Sequence, residues 1–190
     1  MTILLAAVWG YLLGAVPTGA IVCRLASGVD LRQQGSGHTG GLNVSRSAGI
    51  WAGVLTGVVD CLLGVGAVAG VAWLTDSPWA ILAAGVMAVV GHNWSIFIGF
   101  GGGIGISSLV GVYLGGWPLA AIGSLVVLCL LWALLHFLLR IHRARATILV
   151  MVALGPVMWA FGLPLHGILL GVLGGIVVIV KTLPDWYREY

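Results

Sequence analysis

The stretch Ile3-Leu-Leu-Ala-Ala-Val-Trp-Gly-Tyr-Leu-Leu-Gly-Ala-Val-Pro-Thr-Gly-Ala-Ile-Val22 carries no charge. It is as long as the about 20 apolar residues an α-helix needs to cross the hydrocarbon core of a bilayer. No basic segment precedes it and no small-residue cleavage pattern follows, so it reads as a retained helix and not as a removable signal. The rest of the chain has the same character. Of its 190 residues, 61% are hydrophobic and 7% charged, with a mean hydropathy of +1.16. That leaves too little polar surface to cover a water-soluble globule. The expectation is an all-α membrane protein folded as one integral membrane domain over residues 1–190, with no soluble domain, internal repeat or linker.

Cutting the chain where charge, Pro and Gly interrupt the apolar runs predicts seven helices, near 2–24, 48–74, 79–98, 103–116, 118–140, 147–162 and 164–182, the fourth and sixth short. All eight Lys and Arg residues fall on alternate connections: Arg24, Arg32 and Arg46 around the first, Arg140, Arg143 and Arg145 in the fifth, Lys181 and Arg188 at the end. The positive-inside rule makes those connections cytoplasmic, together with the loop near Gly99 to Gly103, and leaves the amino terminus outside. Trp73, Trp79, Trp117 and Trp186, at predicted helix ends, read as an interfacial aromatic belt. Cys23, Cys61 and Cys129 follow no pairing or zinc-ligand spacing and read as small buried thiols, so neither a metal nor a cofactor is expected.

Against this background two polar, glycine-rich segments stand out. The first is Gly35-Ser-Gly-His-Thr-Gly-Gly-Leu-Asn-Val-Ser-Arg46. The second is Gly91-His-Asn-Trp94 followed by the glycines from Gly99 to Gly105 and by Ser108. Closely spaced glycines let backbone N–H groups converge on an anion, hydroxyl and amide groups add donors, and an Arg can fork onto a phosphate. Glycine in membrane helices also serves close packing. The neighbouring Ser36, His38, Asn43, Arg46, His92 and Ser108 favour a phosphate site on the cytoplasmic face, with the second segment running into the start of a helix. Asp60, deep in the second predicted helix, is costly in a membrane interior and is expected to be functional. His136 and His166 read as interhelical hydrogen-bonding groups. The cluster Arg140, Arg143 and Arg145 either fixes topology against anionic lipid or supplies a phosphate clamp, and the sequence leaves both open.

These residues resemble a known family, the bacterial acyl-phosphate-dependent glycerol-3-phosphate acyltransferases. Tyr11-Leu-Leu-Gly-Ala-Val-Pro-Thr-Gly looks like the family's first helix and Gly35 to Arg46 like its first motif; Asp60 matches its second-helix acid, and Gly91-His92 with the glycines through Gly105 resembles its second motif. The chain also departs from the pattern. His38 stands where the family usually has Asn, Leu42 where it has Thr, and Leu63 where it has Lys. Gly101 and Ile104 occupy lysine places of the second motif, and the carboxyl-terminal motif of His, Asn, Arg and Glu is not recognisable in Lys181 to Tyr190.

The resemblance implies a multi-pass protein of the bacterial cytoplasmic membrane that moves a fatty acyl chain from acyl phosphate to the 1-hydroxyl of glycerol 3-phosphate, in phospholipid biosynthesis. It assigns Ser36, Asn43 and His92 to the reaction centre, with His92 in orientation or proton transfer. Substrate binding would fall to Gly35, Gly37, His38, Gly40, Arg46, Asp60 and Ser108, with Gly102, Gly103 and Gly105 cradling the acyl phosphate and Arg143 or Arg145 replacing lost cations. Each missing charge-assisted hydrogen bond would cost about 1.5–3 kcal/mol. A second reading therefore keeps the fold and a lipid pocket without turnover, as an accessory subunit of a larger membrane complex. A small transporter is a third, supported by Asp60 alone. The expected partners are membrane lipids, the two phosphorylated substrates and, under the second reading, other membrane subunits; no nucleic acid is expected.

Overall fold

A computed structural model describes residues 2–188; Met1, Glu189 and Tyr190, which the 1–190 domain expectation includes, lie outside the described residues. The regular structure of the described residues is helical: α1 Ile3–Gly14, α2 Thr18–Ser27, α3 Gly41–Ala48, α4 Ile50–Leu74, α5 Pro78–Asn93, α6 Ile106–Gly116, α7 Pro118–Ala133, α8 Arg143–Ala160 and α9 Leu165–Thr182. Five stretches are long and apolar enough to cross a membrane: Ile3–Ser27, Ile50–Leu74, Pro118–Leu138, Arg143–Ala160 and Leu165–Asp185. Helices α5 and α6 are apolar but shorter.

The differences from the expected boundaries have local causes. The helix expected over 2–24 is broken before Pro17, which has no N–H to donate and disfavours helical backbone in the residue ahead of it. Residues 41–48, expected as loop, form α3 with Gly40 at its N-cap; Gly49, at φ +94°, separates α3 from α4. The third helix stops at Asn93, five residues early, because Ser95 turns the chain and accepts from the Phe97 N–H. The sixth starts at Arg143, earlier than expected, because the His142 ring caps it by accepting from the Ala144 N–H. It is therefore 18 residues long and not short.

Glycine sets how these helices meet. A Cβ at Gly10 or Gly14 of α1 would collide with the backbone of Ala84 or Ala88 in α5. One at Gly111 of α6 would collide with the backbone of Cys61 in α4, and one at Gly64 with that of Ser108. Small residues in register thus allow backbone-to-backbone packing, the dominant helix contact available when lipid is as apolar as the side chains. Behind these contacts Val68, Leu109, Val112, Tyr113, Leu154, Met158 and Leu170 form the buried core. The Tyr113 hydroxyl is satisfied there by donating to Gly167 O (3.0 Å). Leu4, Trp51, Trp73, Leu119 and Trp159 point outward on faces that suit lipid. Trp117 instead packs on His166 and Tyr113, at ring separations of 5.3 and 6.1 Å.

The glycine contacts predict a contrast. Gly111→Val, which drives a side chain into the α4 backbone, should destabilise the protein by about 1–3 kcal/mol or more. Gly66→Ala, whose new methyl would meet only Leu13 Cδ1 at 3.7 Å, should be tolerated. Thermal unfolding of the purified variants in detergent checks both.

Candidate functional site

The two glycine-rich segments meet. The Thr39 N–H donates to Gly102 O (3.2 Å), joining one loop to the other. The second loop is anchored by three further hydrogen bonds, from two helices. Tyr11 Oη donates to Trp94 O (2.9 Å) from α1, Asn93 Nδ2 donates to Val177 O (3.3 Å) in α9, and Lys181 Nζ donates to Asn93 O (2.6 Å) while lying 5.3 Å over the Trp94 ring. Lys181, which entered the sequence reading only as a topology charge, is therefore a clamp on this loop.

Within the first loop Asn43 does the organising. Its Nδ2 donates to both Gln34 O (3.0 Å) and His38 O (2.9 Å), so its N–H groups are committed to the backbone. Gly35 lies against Asn43 Oδ1, where a Cβ would clash. At the loop entrance Arg32 pairs with Asp30 (2.8 Å) and holds that carboxyl down to about 2. In the second loop the His92 ring fills the space a side chain at Gly103 would need. Gly105, at φ +92°, turns the chain into α6 with a backbone that L side chains rarely adopt.

Between the loops lies a cavity of about 540 Å³, within the usual range for a small-molecule site. The first loop contributes Ser36, His38, Asn43 and Arg46, while α4 and α5 contribute Asp60 and His92, and Gly105 to Ser107 form the start of α6. The far wall is Trp132, His136 and Phe137 at the end of α7, with His142, Arg143 and Thr147 on α8. A π-turn over Leu134–Leu138 reshapes the end of α7, and His136 Nδ1 closes it on Ile141 O (3.0 Å). Trp132 is fixed by donating to Thr147 Oγ1 (3.1 Å). Thr182 and Asp185, from the carboxyl-terminal segment, complete the lining.

The charges of this cavity are unevenly matched. Neither Arg46 nor Arg143 has a carboxylate partner among the described residues, so both are available to an anion. The first-turn N–H groups of α6 add donors and the positive end of a helix dipole to the lining. Both acids of the cavity sit beside histidines: Asp60 Oδ1 is 3.8 Å from His92 Nδ1, and Asp185 Oδ2 is 2.7 Å from His38 Nε2. Asp60 Oδ2 remains buried without a hydrogen-bond partner.

Of the expected site residues, Ser36, His38, Gly40, Asn43, Arg46, Asp60, His92, Gly105 and Arg143 line this one cavity. Gly35, Gly37, Gly102, Gly103 and Ser108 lie in the segments that shape it but are not on its wall. Ser108, one turn into α6, is buried with Oγ unpartnered. Arg145 does not reach the cavity. Its guanidinium lies 5.3 Å from the ring centroids of both Trp186 and Tyr187, which places Trp186 against a cation. Sequence reasoning missed Trp132, His142, Thr147, Thr182 and Asp185 as cavity residues. Their only signal is that a carboxylate and hydroxyls at the ends of two helices are unusual in so apolar a chain.

Comparison with known proteins fits this picture. A family sequence model described as glycerol-3-phosphate acyltransferase matches residues 4–188. A glycerol-3-phosphate acyltransferase of Synechococcus sp. strain JA-3-3Ab is 41% identical over 180 residues, covering 94% of this chain and 85% of its own. Its counterpart in Rippkaea orientalis is 37% identical over 185 residues, covering 90% and 82%. Among solved structures, PlsY, an integral membrane glycerol 3-phosphate acyltransferase, superposes in its glycerol 3-phosphate form with a TM-score of 0.80 at 28% identity, covering 99% of this chain and 95% of its own.

The unpaired arginines predict anion binding. Inorganic phosphate should raise the thermal midpoint of the detergent-solubilised protein above that in chloride of equal ionic strength, by about 2.7 kcal/mol of stability at 100 times its Kd. Arg46→Gln should remove most of the rise; equal midpoints in the two salts for the unmutated chain would refute the site.

Proposed function

The chain belongs to the glycerol-3-phosphate acyltransferase family, and from that premise we propose that it transfers a fatty acyl chain from acyl phosphate to the 1-hydroxyl of glycerol 3-phosphate, releasing inorganic phosphate and lysophosphatidic acid. One observation carries the assignment to this cavity: its lining offers Arg46, Arg143 and the start of α6 to an anion, while Trp132, Phe137, Ile104 and Ile106 give the same space apolar surface. A phosphorylated head and an acyl chain fit such a division.

Both substrates carry phosphate, so bringing the hydroxyl to the acyl carbonyl requires cations that offset their repulsion. The same cations stabilise the phosphate as it departs. Arg46 and Arg143 supply them from two different elements. Gly105 and the first turn of α6 hold one phosphate through backbone N–H groups, with Gly102 and Gly103 setting the loop's shape. Asp60, through its unpartnered Oδ2, accepts from a glycerol hydroxyl, and His92 holds Asp60 and the second loop in register. Ser36 adds a hydroxyl donor at the loop. Asn43 serves by holding the loop backbone, since its N–H groups are already used.

The topology that suits this chemistry has seven spans, counting the short α5 and α6, with the amino terminus outside and the site on the cytoplasmic face of the bacterial inner membrane. The charges favour it, because the basic residues lie at one end of the helices. The chain acts as one domain, and the residues that line the cavity all belong to it.

The test mixes purified protein with acyl phosphate and glycerol 3-phosphate and follows released phosphate. Turnover above a His92→Ala control is expected, and Arg46→Gln should slow it roughly ten- to 150-fold, the effect of one charge-assisted hydrogen bond. A folded, phosphate-binding protein with no turnover above that control would refute the enzyme.

A further inference from the structure

A row of side chains runs out of the substrate cavity along α7. Ile122, Val126, Cys129 and Ala133 recur every three or four residues and so stand on one face of that helix. The same spacing continues to His136 and Phe137, which line the cavity. Trp132 stands at the border, fixed by its bond to Thr147 Oγ1 and edge-on to Phe137 at 5.8 Å. With Leu114 of α6, the stretch of the row from Ile122 to Ala133 lines a groove of its own, and no charged, amide or hydroxyl side chain enters it. Ile122, Val126 and Cys129 are exposed, so in a bilayer the groove faces hydrocarbon.

The far end of the groove is closed by the chain itself. Ile106 and Ser107, at the start of α6, line the cavity, and Leu114, about two turns further on, lines the groove. Helix α6 therefore accompanies the row over its length. The two helices then join through Trp117 alone, the C-cap of α6 and the N-cap of α7. Its ring packs on Tyr113 and His166, which fixes the corner. From Trp132 to Ile122 an α-helix rises about 15 Å, at about 1.5 Å per residue. That is half of the about 30 Å hydrocarbon core, the length open to an acyl chain in one leaflet.

We propose that this groove carries the tail of the acyl donor and that Ile122 and Leu114, at its closed end, set the chain length the site prefers, an inference that rests on the acyltransferase reading above. The occupant follows from continuity: the row starts on the wall of the cavity that holds the reacting acyl group, and nothing along it could recognise a polar partner. A tail that leaves lipid for this groove exchanges one apolar surrounding for another, so selectivity comes from fit and not from burial. A tail that reaches the corner makes dispersion contacts along the whole row. A shorter one leaves the Ile122 end to bulk lipid, and a longer one has to bend out beside Trp117. Cys129 and Ala133, the smallest residues of the row, leave room next to the cavity, whereas Leu114 and Ile122 narrow the corner.

The experiment compares palmitoyl phosphate with decanoyl phosphate as donors for the full chain and for V126W, I122W and V127W, each shown to be folded by its melting midpoint. Val127 lies on α7 outside the groove and serves as the control. V126W and I122W should lower kcat/KM for palmitoyl phosphate about tenfold or more while leaving decanoyl phosphate within about threefold, and V127W should leave the ratio unchanged. A second readout needs no turnover. Hexadecyl phosphate should raise the midpoint of the unmutated chain more than that of V126W or I122W, and decyl phosphate should raise all of them alike. A palmitoyl-to-decanoyl ratio in V126W and I122W equal to that in V127W overturns the proposal and leaves the groove to bulk lipid. Absence of turnover with both donors in the unmutated chain would overturn the acyltransferase reading, and the alkyl phosphate midpoints then decide the groove by themselves: a length-dependent difference upholds it as a tail site, and equal shifts refute it.

Discussion

Backbone-to-backbone contact through glycine is the constraint on which the rest of this structure depends. Within lipid, one apolar side chain gains little by leaving hydrocarbon for another, so helices adhere where their surfaces fit closely. Gly10 and Gly14 let α1 lie against α5, and Gly64 and Gly111 let α4 lie against α6. These contacts set the relative height of α5 and α6, the two helices too short to be identified as spans by length. The loop between them, residues 94–105, is thereby carried to the same end of the bundle as the loop that follows α2. A wider spacing would part the two loops that the Thr39 N–H to Gly102 O bond joins.

What collects at that end follows a simple electrostatic division. The arginines that line the cavity, Arg46 and Arg143, have no carboxylate partners, whereas each acid of the cavity faces a histidine. Fixed cations without counterions suit a phosphorylated substrate, because the anion supplies what the protein withholds. The positive charges farther out do different work. Lys181, read from the sequence as a topology charge, pins the second loop, and Arg145, read as a possible phosphate clamp, covers Trp186 and Tyr187, so both cations hold the frame around the cavity.

Much of the cavity's polar lining was legible before the fold. Ser36, His38, Asn43, Arg46 and His92 declared themselves because a polar residue in a chain this apolar has few reasons to be there, and Asp60 did so because its burial requires compensation. Their roles were less legible than their positions. Asn43 reads as a reacting group, and its Nδ2 is bonded to the loop backbone; Arg145, which the sequence leaves open between topology and a phosphate clamp, lies over Trp186 and Tyr187. The π-turn that places His136 and Phe137 could not be seen, since Leu134–Leu138 has the composition of ordinary membrane helix and the extra residue in the turn is set by the contact of His136 with Ile141 O. Asp185 was passed over because the segment around it lacks the family's recognisable carboxyl-terminal pattern, although its side chain occupies the cavity wall.

By itself the sequence determined that this is a helical membrane protein with a polar, glycine-rich site, because hydropathy and charge distribution are summed along the chain and need no partner to be read. Only the tertiary structure decided which polar residues share one cavity, that two histidines lie beside two acids in it, and that the turn after α9 forms part of the wall. Those facts depend on contacts between residues as far apart as His38 and Asp185, whose meeting is set by helix packing and by no feature of either neighbourhood in the sequence.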